Sequence, residues 1–311
     1  MIRETLNKVK SLPPFWKITL SIVAAALLCY AAAVIWIPSY RFDDPEPFNG
    51  KFIFNPYSAL ENPKEVIIPE DSLPKPGKSI FFVKNIHFKQ HEIDKMLEKS
   101  AFPAIANPHK NFRIRDLQAL DRYRLIEVFA QDENAADYWD MALSSGRRAR
   151  ALATQNVHTG SDTVKSNIVF SSLENGDAYI LIRPAGTEDT PSLTQADVNG
   201  DTVTVAASIR ASRIRFIGQN GTVRHTEEAT DKASYIFQPN DTYIRTEMLF
   251  DNGCAIYLNA FVRHPFNVYY DQNHAVVIKG RTWLMRIAFV IAVICIIKML
   301  LDKKNDKRNE D

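Results

Sequence analysis

The sequence has few cysteines and almost no net charge, and it lacks the short motifs of common catalytic sites. Its cysteines, Cys29, Cys254 and Cys295, are too few for a disulfide framework, and no Cys-x-x-Cys pair indicates zinc. The 38 basic and 36 acidic residues leave a formal net charge of +2, which argues against a nucleic-acid binder. No P-loop, Gly-x-Ser-x-Gly, His-Glu-x-x-His or Gly-x-Gly-x-x-Gly motif occurs.

Aromatic residues are well represented and exclude disorder for most of the chain. The sequence contains 18 Phe, 11 Tyr and 4 Trp, which are core-forming residues. At 311 residues, the chain is long enough for two or three domains of roughly 150 residues each.

Residues 18–37 form an uncharged apolar segment near the N-terminus. At ~1.5 Å rise per residue, a helix of this length covers the ~30 Å hydrocarbon layer of a bilayer. Trp16 and Trp36 lie at its two edges, where indole rings favour the membrane interface. The alternative is a signal peptide, but the run is long for one and no Ala-x-Ala-like cleavage site follows. We therefore predict a retained transmembrane helix.

Residues 282–301 form a second predicted span, whose uncharged centre covers only 287–297 between Arg286 and Lys298. Both side chains are long enough to extend towards the interface. A buried helix of a soluble domain is the alternative. Lys and Arg residues in both tails predict an inner-membrane protein with cytoplasmic termini and an extracytoplasmic segment 38–281. The basic residues at the outer end of the second span oppose this orientation.

Small residues recur every four positions along the predicted spans and indicate close helix packing in the membrane. They are Ser21, Ala25, Cys29 and Ala33 in the first span, and Ala288 and Ala292 in the second. A packed hairpin or a homo-oligomer would use such faces. Chance spacing in an Ala-rich helix explains the pattern equally well.

Residues 80–170 alternate strand-like and helix-like segments. Strands are predicted at 80–83, 104–106, 125–129, 149–154 and 167–170; helices are predicted at 91–99, 114–120 and 133–145, the last ending at Gly146. This β-α rhythm is typical of a parallel sheet or barrel. The following residues, 171–195, are rich in turn formers and read as irregular.

After residue 195 the hydrophobic period changes to two. Alternating segments flank the turns Asn220-Gly221 and Asn252-Gly253, which predicts two antiparallel hairpins. We interpret 195–265 as a small β-sandwich.

Residues 121–158, with Ile126-Glu127-Val128, Tyr138-Trp139-Asp140 and Leu143–Arg148, resemble the second half of a PHP domain, the polymerase and histidinol phosphatase superfamily. Residues 213–264 resemble the β-tail of membrane-anchored or secreted members. The resemblance implies a distorted, partly eroded PHP-like β/α barrel followed by the β-sandwich and flanked by two transmembrane helices. The corresponding divisions are a cytoplasmic tail 1–17, a span 18–37, a PHP-like domain 38–194, the sandwich 195–265, a linker 266–281, a span 282–301 and a tail 302–311.

PHP domains hold two or three divalent metals and hydrolyse phosphoesters, and the resemblance implies where their ligands would stand. At those relic positions this chain has Ile53, Asn55, Asn85, Asn107, Gln155, Asn156 and His158. Neutral amides and an isoleucine cannot offset the charge of several cations. We therefore expect no catalytic residue, no cofactor and no metal beyond weak binding at His158; Zn or Mn would be present only if a rearranged site persists.

Several histidines and arginines each have two possible interpretations. His87, His91 and His109 lie on separate segments and read as surface residues rather than a metal site. Arg147 and Arg148 follow a helix-ending glycine, where they either bind an anion or stabilise the helix C-terminus.

Three functions remain open at this stage. The first is a non-catalytic PHP-like pseudoenzyme ectodomain that acts as a binding or assembly subunit at a bacterial envelope. The second is a metal-dependent phosphoesterase, and the third is a ligand-sensing module that signals through a partner. The predicted partners are the lipid bilayer and an envelope protein or a second copy of the chain, with no nucleic acid.

Overall fold

The computed structural model describes residues 15, 30–32, 35–58, 64–66, 86–99, 103–130, 133–154, 157–159, 162–170, 178–184, 186–265 and 274–308. The chain separates into two compact units. One comprises Met1–Arg41 with Val276–Asp311, and the other comprises Phe42–Ala275. Strands β1 (Tyr40–Phe42) and β16 (Ala275–Val277) form a two-stranded sheet.

A ten-stranded sheet dominates the unit Phe42–Ala275 and curls as a half-barrel. Its strands are β2 (Phe52–Phe54), β3 (Lys64–Val66), β8 (Val157–Thr159), β9 (Asp162–Phe170), β10 (Ala178–Pro184), β11 (Leu193–Asn199), β12 (Thr202–Gly218), β13 (Thr222–Ile236), β14 (Tyr243–Leu249) and β15 (Ala255–His264). The main order is β11-β12-β14-β15-β10-β9-β3, with β13 on β12, β2 on β15 and β8 on β9. Each of these pairings is antiparallel.

The central strands of this sheet are buried on both faces. In β10, Tyr179 and Leu181 pack into one core, whereas Ile180 and Ile182 face the other. Strand β14 divides in the same way, with Ile244 in the first core and Tyr243 in the second. Strands covered on both sides have apolar residues at consecutive positions rather than at alternate ones.

A smaller four-stranded sheet packs with short helices on one of these faces. It contains β4 (Ala104–Ile105), β5 (Leu125–Ala130), β6 (Glu133–Asn134) and β7 (Arg150–Ala153), and β5 pairs in parallel with both β4 and β7. The helices are α1 (Ile86–Lys99), α2 (Pro108–Asn111), α3 (Asp116–Ala119) and α4 (Ala136–Ser144). The predicted β-α rhythm is therefore correct locally, over two parallel strand pairs.

One buried amide joins the two sheets. The Asn259 side chain on β15 accepts a hydrogen bond from the backbone N of Ala151 on β7, at 2.9 Å. Its Nδ2 donates to the Ala178 carbonyl at 2.8 Å, and the same carbonyl accepts from the Tyr57 hydroxyl at 3.1 Å. Because every partner is buried, these bonds also fix the register between the sheets.

A buried chain of charges joins α4 to the large sheet. Arg245 on β14 makes two 2.7 Å contacts with the Asp140 carboxylate, from Nε to Oδ1 and from Nη2 to Oδ2. Its Nη1 contacts Glu247 Oε1 at 2.5 Å, and Glu247 also pairs with Arg215. Burial alone lowers the pKa of Arg245, but Asp140 and Glu247 outweigh it and raise that pKa above its ordinary value.

The longest hairpin packs against the end of α4. Strands β12 and β13 are joined by a 3₁₀ turn at Gln219–Gly221, in which Asn220 is left-handed. The Asn220 amide donates to Ser144 Oγ at 2.8 Å, and a Cβ at Gly221 would lie 2.8 Å from Asp140 Oδ2. Further along, Ala229 on β13 has a φ of 53°, and the register between β12 and β13 shifts in this region. Both predicted Asn-Gly hairpins are confirmed.

The unit Met1–Arg41 with Val276–Asp311 contains the helix α5 (Lys279–Arg308). The Arg286 guanidinium lies over the rings of Trp36 and Trp283, and it donates to the Trp36 carbonyl at 3.0 Å. Ala288 and Ala292 are both exposed on this helix.

The prediction of an inner-membrane protein with two spans is wrong, and one finding contradicts it. Within the described residues, no helix combines the length and the apolar character needed to cross a membrane. The uncharged centre of α5 covers only 287–297, between Arg286 and Lys298. Most of the first predicted span, including Ser21, Ala25, Cys29 and Ala33, lies outside the described residues.

The predicted fold class is also wrong. No closed β/α barrel occurs in the described parts of the chain, where the parallel pairs are confined to the small sheet. The residues assigned to a separate β-sandwich instead contribute β11 to β15 of the ten-stranded sheet, beside β9 and β10. The sandwich was an error because β10 falls in the segment 171–195, which the turn residues marked as irregular.

We expect Asp140→Ala to lower the free energy of unfolding by about 3–5 kcal/mol, because it leaves Arg245 buried with half of its anionic partners. The matched control is Glu228→Ala, which removes a carboxylate from an exposed pair with Arg213 at 3.6 Å and should cost ~1 kcal/mol or less. Urea unfolding followed by circular dichroism measures both. Equal effects of the two substitutions would contradict a supporting role for the buried pair.

Candidate anion-binding cleft

The turn after α4 determines where Arg147 lies. Gly146, with a φ of 72°, follows the helix, and its amide donates to the Leu143 carbonyl at 3.0 Å. The Arg147 amide donates to the Ala142 carbonyl at 2.9 Å. This pair of bonds is the Schellman arrangement, which reverses the chain after a helix. After this turn the Arg147 side chain reaches the carbonyl of Gln118 on α3.

The Arg147 guanidinium is buried without a full set of partners. The residue is 3% exposed. Its Nε and Nη2 both donate to one backbone carbonyl, that of Gln118, with an Nε···O distance of 3.0 Å. Across the described residues, its Nη1 is buried and has no hydrogen-bond partner. A buried cation that contacts only a neutral carbonyl is unusual, because desolvation of the charge is then poorly offset.

Arg147 lies in the wall of an open cleft of about 700 Å³, a volume that includes its mouth. The lining contains five arginines and two histidines but only two acids. The charged and imidazole residues are Glu46, Asp121, Arg122, Arg124, Arg147, Arg148, Arg263, His264 and His274. With neutral histidines, the formal charge of this lining is 5 − 2 = +3. The cleft is thus suited to an anion.

Two other arginines of the cleft are already engaged in the fold. Arg263 donates from Nε to the Asp241 carbonyl at 2.9 Å and from Nη2 to the Gln238 carbonyl at 3.1 Å. Arg122 pairs through Nη2 with Asp94 at 2.8 Å, but its Nε is buried and lacks a partner in the described chain. Arg147 and Arg122 therefore each have one unsatisfied guanidinium nitrogen.

Asp121 organises the backbone around the cleft instead of neutralising the arginines. Its Oδ2 accepts hydrogen bonds from the amides of His274 at 2.6 Å and Ala275 at 3.2 Å, and Oδ1 accepts from the Arg122 amide at 2.8 Å. The Gln90 side chain donates a hydrogen bond to the Asp121 carbonyl and accepts one from the Asp121 amide. The carboxylate thus directs most of its hydrogen-bonding capacity to three amides.

Two glycines allow the segment 46–50 to close one side of the cleft. A Cβ at Gly146 would lie 2.0 Å from the Glu46 carbonyl oxygen, and a Cβ at Gly50 would lie 1.7 Å from the His264 carbonyl carbon. Neither distance is compatible with a side chain, so any larger residue would push the segment away.

The pKa values of two titratable side chains in the cleft, His274 and Tyr123, are shifted in opposite directions. Burial and the nearby Arg147 lower the pKa of His274, against the opposing influence of Asp121, Glu46 and Asp43. Burial raises the pKa of Tyr123, whose hydroxyl donates to the Leu117 carbonyl at 2.7 Å. His274 is therefore neutral and Tyr123 protonated at neutral pH.

The relic positions that the structure describes perform structural tasks and do not converge. Ile53 lies on β2 opposite Arg263. Asn55 donates to the Ala196 carbonyl at 3.1 Å and accepts from the Tyr57 amide at 2.8 Å. Asn107, beside the small sheet, is left-handed, and its amide donates to Glu127 Oε2 at 2.7 Å. Glu127 Oε1 accepts from the Thr154 hydroxyl, also at 2.7 Å.

The remaining relic positions are only partly described. Asn85, Gln155 and Asn156 lie outside the described residues. His158 belongs to β8, where its backbone is opposite Thr163. Of the histidines read as surface residues, His109 contacts the Tyr138 ring and is 3.7 Å from Asp137.

The described residues do not fit a multi-metal centre. Asn55 and Asn107 follow strands of two different sheets, and the side chain of Asn55 is committed to backbone groups. No group of three or more His, Cys, Asp or Glu that could hold a metal occurs in the part of the chain that the structure describes. The expectation that the protein binds no metal stays a prediction.

The sequence identifies two residues of the cleft, Arg147 and Arg148, and misses most of the others. Both arginines stand out by their place after Gly146, with anion binding as one of two interpretations. Asp121, Arg263 and His274 were missed, because they are far apart in sequence and belong to no motif. The arginine-rich run Asp121–Arg124 was the one available signal.

We expect Gly146→Ala to destabilise the protein more than Gly200→Ala, by roughly 1–3 kcal/mol, because it adds a steric clash to backbone strain. Both glycines have positive φ, 72° and 58°, so each alanine incurs ~1–2 kcal/mol of left-handed strain. Only Gly146 is crowded, since nothing lies within 4 Å of a Cβ at Gly200. Thermal unfolding compares the two variants; equal losses would show that the segment 46–50 yields easily.

Comparison with known proteins identifies no relative: no family model, curated protein or solved structure matches the chain. The PHP resemblance and the function it implies therefore stay predictions.

Proposed function

We propose that the protein is a non-catalytic binding module that takes a small oxyanion into the basic cleft. The observation that carries this proposal is the buried Arg147 guanidinium, which has a neutral carbonyl as its hydrogen-bond acceptor and lies in a wall of net positive charge.

An anion is the ligand that this arrangement favours. Arg stays protonated at any physiological pH, so Arg147 cannot relieve its burial by losing a proton. Arg147 Nη1 and Arg122 Nε are buried donors without an acceptor, in two residues that line the cleft. A carboxylate, sulfate or phosphate group is the kind of acceptor that a guanidinium pairs with best. Hydrogen bonds between a guanidinium and an oxyanion are charge-assisted and contribute ~1.5–3 kcal/mol each.

The lining supports binding rather than bond cleavage. The described lining residues include no serine, threonine or cysteine, and the one hydroxyl among them, that of Tyr123, donates to the Leu117 carbonyl and has a raised pKa. The Asp121 carboxylate is engaged with backbone amides. A nucleophile with an adjacent general base is therefore missing from the described lining.

Two other functions remain predictions without a supporting contact. A phosphoesterase would need metal ligands at positions where Asn55 and Asn107 have structural roles. A sensing or assembly role would need a partner, and the identity of any partner stays a prediction.

The test is calorimetric titration of the full chain with sodium sulfate, at constant ionic strength maintained with sodium chloride. We expect saturable sulfate binding that Arg147→Gln weakens by ~10-fold or more, because one charge-assisted contact and a positive charge are lost. The control Arg213→Gln removes the same charge from an exposed position on β12 and should change the affinity less than about twofold.

Arg147→Lys keeps the charge but loses the planar donors, so it should bind with intermediate affinity. Thermal melts of each variant establish that it is folded before titration. Sulfate binding that is absent, or that Arg147→Gln and Arg213→Gln weaken equally, would contradict a specific site.

A further inference from the structure

His274 is held in place at the cleft by contacts from two directions. Its backbone amide donates to Asp121 Oδ2 at 2.6 Å, and its carbonyl accepts a hydrogen bond from the Asp43 amide at 2.9 Å. The residue is 9% exposed and lines the same cleft as Arg147. The backbone of His274 is therefore fixed at the cleft from both sides of the residue.

The charges that face His274 come from each segment around it. Arg147 after α4 opposes its protonation, whereas Asp121 before β5, Glu46 and Asp43 favour it. The other charged or titratable groups of the cleft are Arg122, Arg124, Arg148, Arg263 and His264. In the free protein, the balance of burial and Arg147 against the three acids keeps the pKa of His274 below its ordinary value.

We propose that oxyanion binding in the cleft is coupled to protonation of His274, so that the protein takes up its ligand together with a proton. The inference rests on the proposed function, since it concerns the same cleft. It deepens that function by making affinity depend on pH.

The coupling follows because Arg147 and His274 line the same cleft and the charge of Arg147 opposes protonation of His274. An oxyanion bound to Arg147 places negative charge near the imidazole and offsets the field that opposes its protonation. The pKa of His274 is then higher in the complex than in the free protein, so the complex binds more protons. By linkage, a state that binds more protons is favoured as the pH falls.

The direction and the range of the effect follow. Affinity should rise as the pH falls through the pKa of His274 in the complex. It should level off below the lower pKa of the free protein, where both forms are already protonated. One coupled proton limits the change to ~10-fold per pH unit.

Sulfate is the suitable probe because it keeps its charge across this range, whereas phosphate titrates itself. We expect sulfate to bind the full chain ~5-fold more tightly at about pH 5.5 than at about pH 7.5, at constant ionic strength. Calorimetry near pH 6.5, in buffers of different ionisation enthalpy, should show net proton uptake on binding. This second measurement uses the unaltered protein and needs no variant to fold.

Two variants test whether His274 is the group that takes up the proton when sulfate binds. His274→Gln should still bind sulfate but lose at least half of both the pH dependence and the proton uptake. The control His264→Gln, which removes the other histidine of the cleft, should retain both. Proton uptake that His264→Gln abolishes, or sulfate binding without any proton uptake, would overturn the inference and leave the binding function intact. Failure to bind sulfate at any pH would instead overturn the binding function, and the coupling with it.

Discussion

The bidentate ion pair between Asp140 and Arg245 is the constraint on which the placement of α4 depends. It joins the helix α4, which packs with the small mixed sheet, to β14 of the large antiparallel sheet, at a point where both partners are buried. The turn that follows α4 brings Gly146 against the Glu46 carbonyl and lets Arg147 reach the Gln118 carbonyl of α3. The basic cleft is therefore a consequence of how the two sheets are joined.

The sequence predicts the local elements better than their assembly. The hairpins at Asn220-Gly221 and Asn252-Gly253, and α4 with its terminal glycine, are confirmed because turn and cap chemistry is local. The central strand β10 was missed, because a strand buried on both faces has no alternation and its flanking residues are turn formers. Without β10 the large sheet could not be assembled from its hairpins, so the antiparallel segment was read as a separate sandwich.

The site was harder to predict than the fold, for a related reason. Four of the residues that define the cleft come from distant parts of the chain and meet only through tertiary packing: Asp121, Arg147, Arg263 and His274. These four residues do not form a sequence motif, whereas metal ligands and phosphate-binding loops often have a characteristic spacing. Arg147 was recognisable because a cation after a helix-ending glycine has few roles. Its burial, which decides between those roles, depends on α3 and on contacts that no sequence pattern encodes.

Strand β13 bears on how the protein behaves at high concentration. Among the described strands it pairs only with β12, so it forms an edge of the described sheet. Such an edge invites association with the same edge of another molecule unless something prevents it. Here Ala229 bends the strand out of regular extension, and Glu227, Glu228, Asp231 and Lys232 place charge on both sides of the bend. A left-handed residue among charged neighbours is the kind of irregularity that disfavours edge-to-edge pairing of strands, at the cost of backbone strain at one residue.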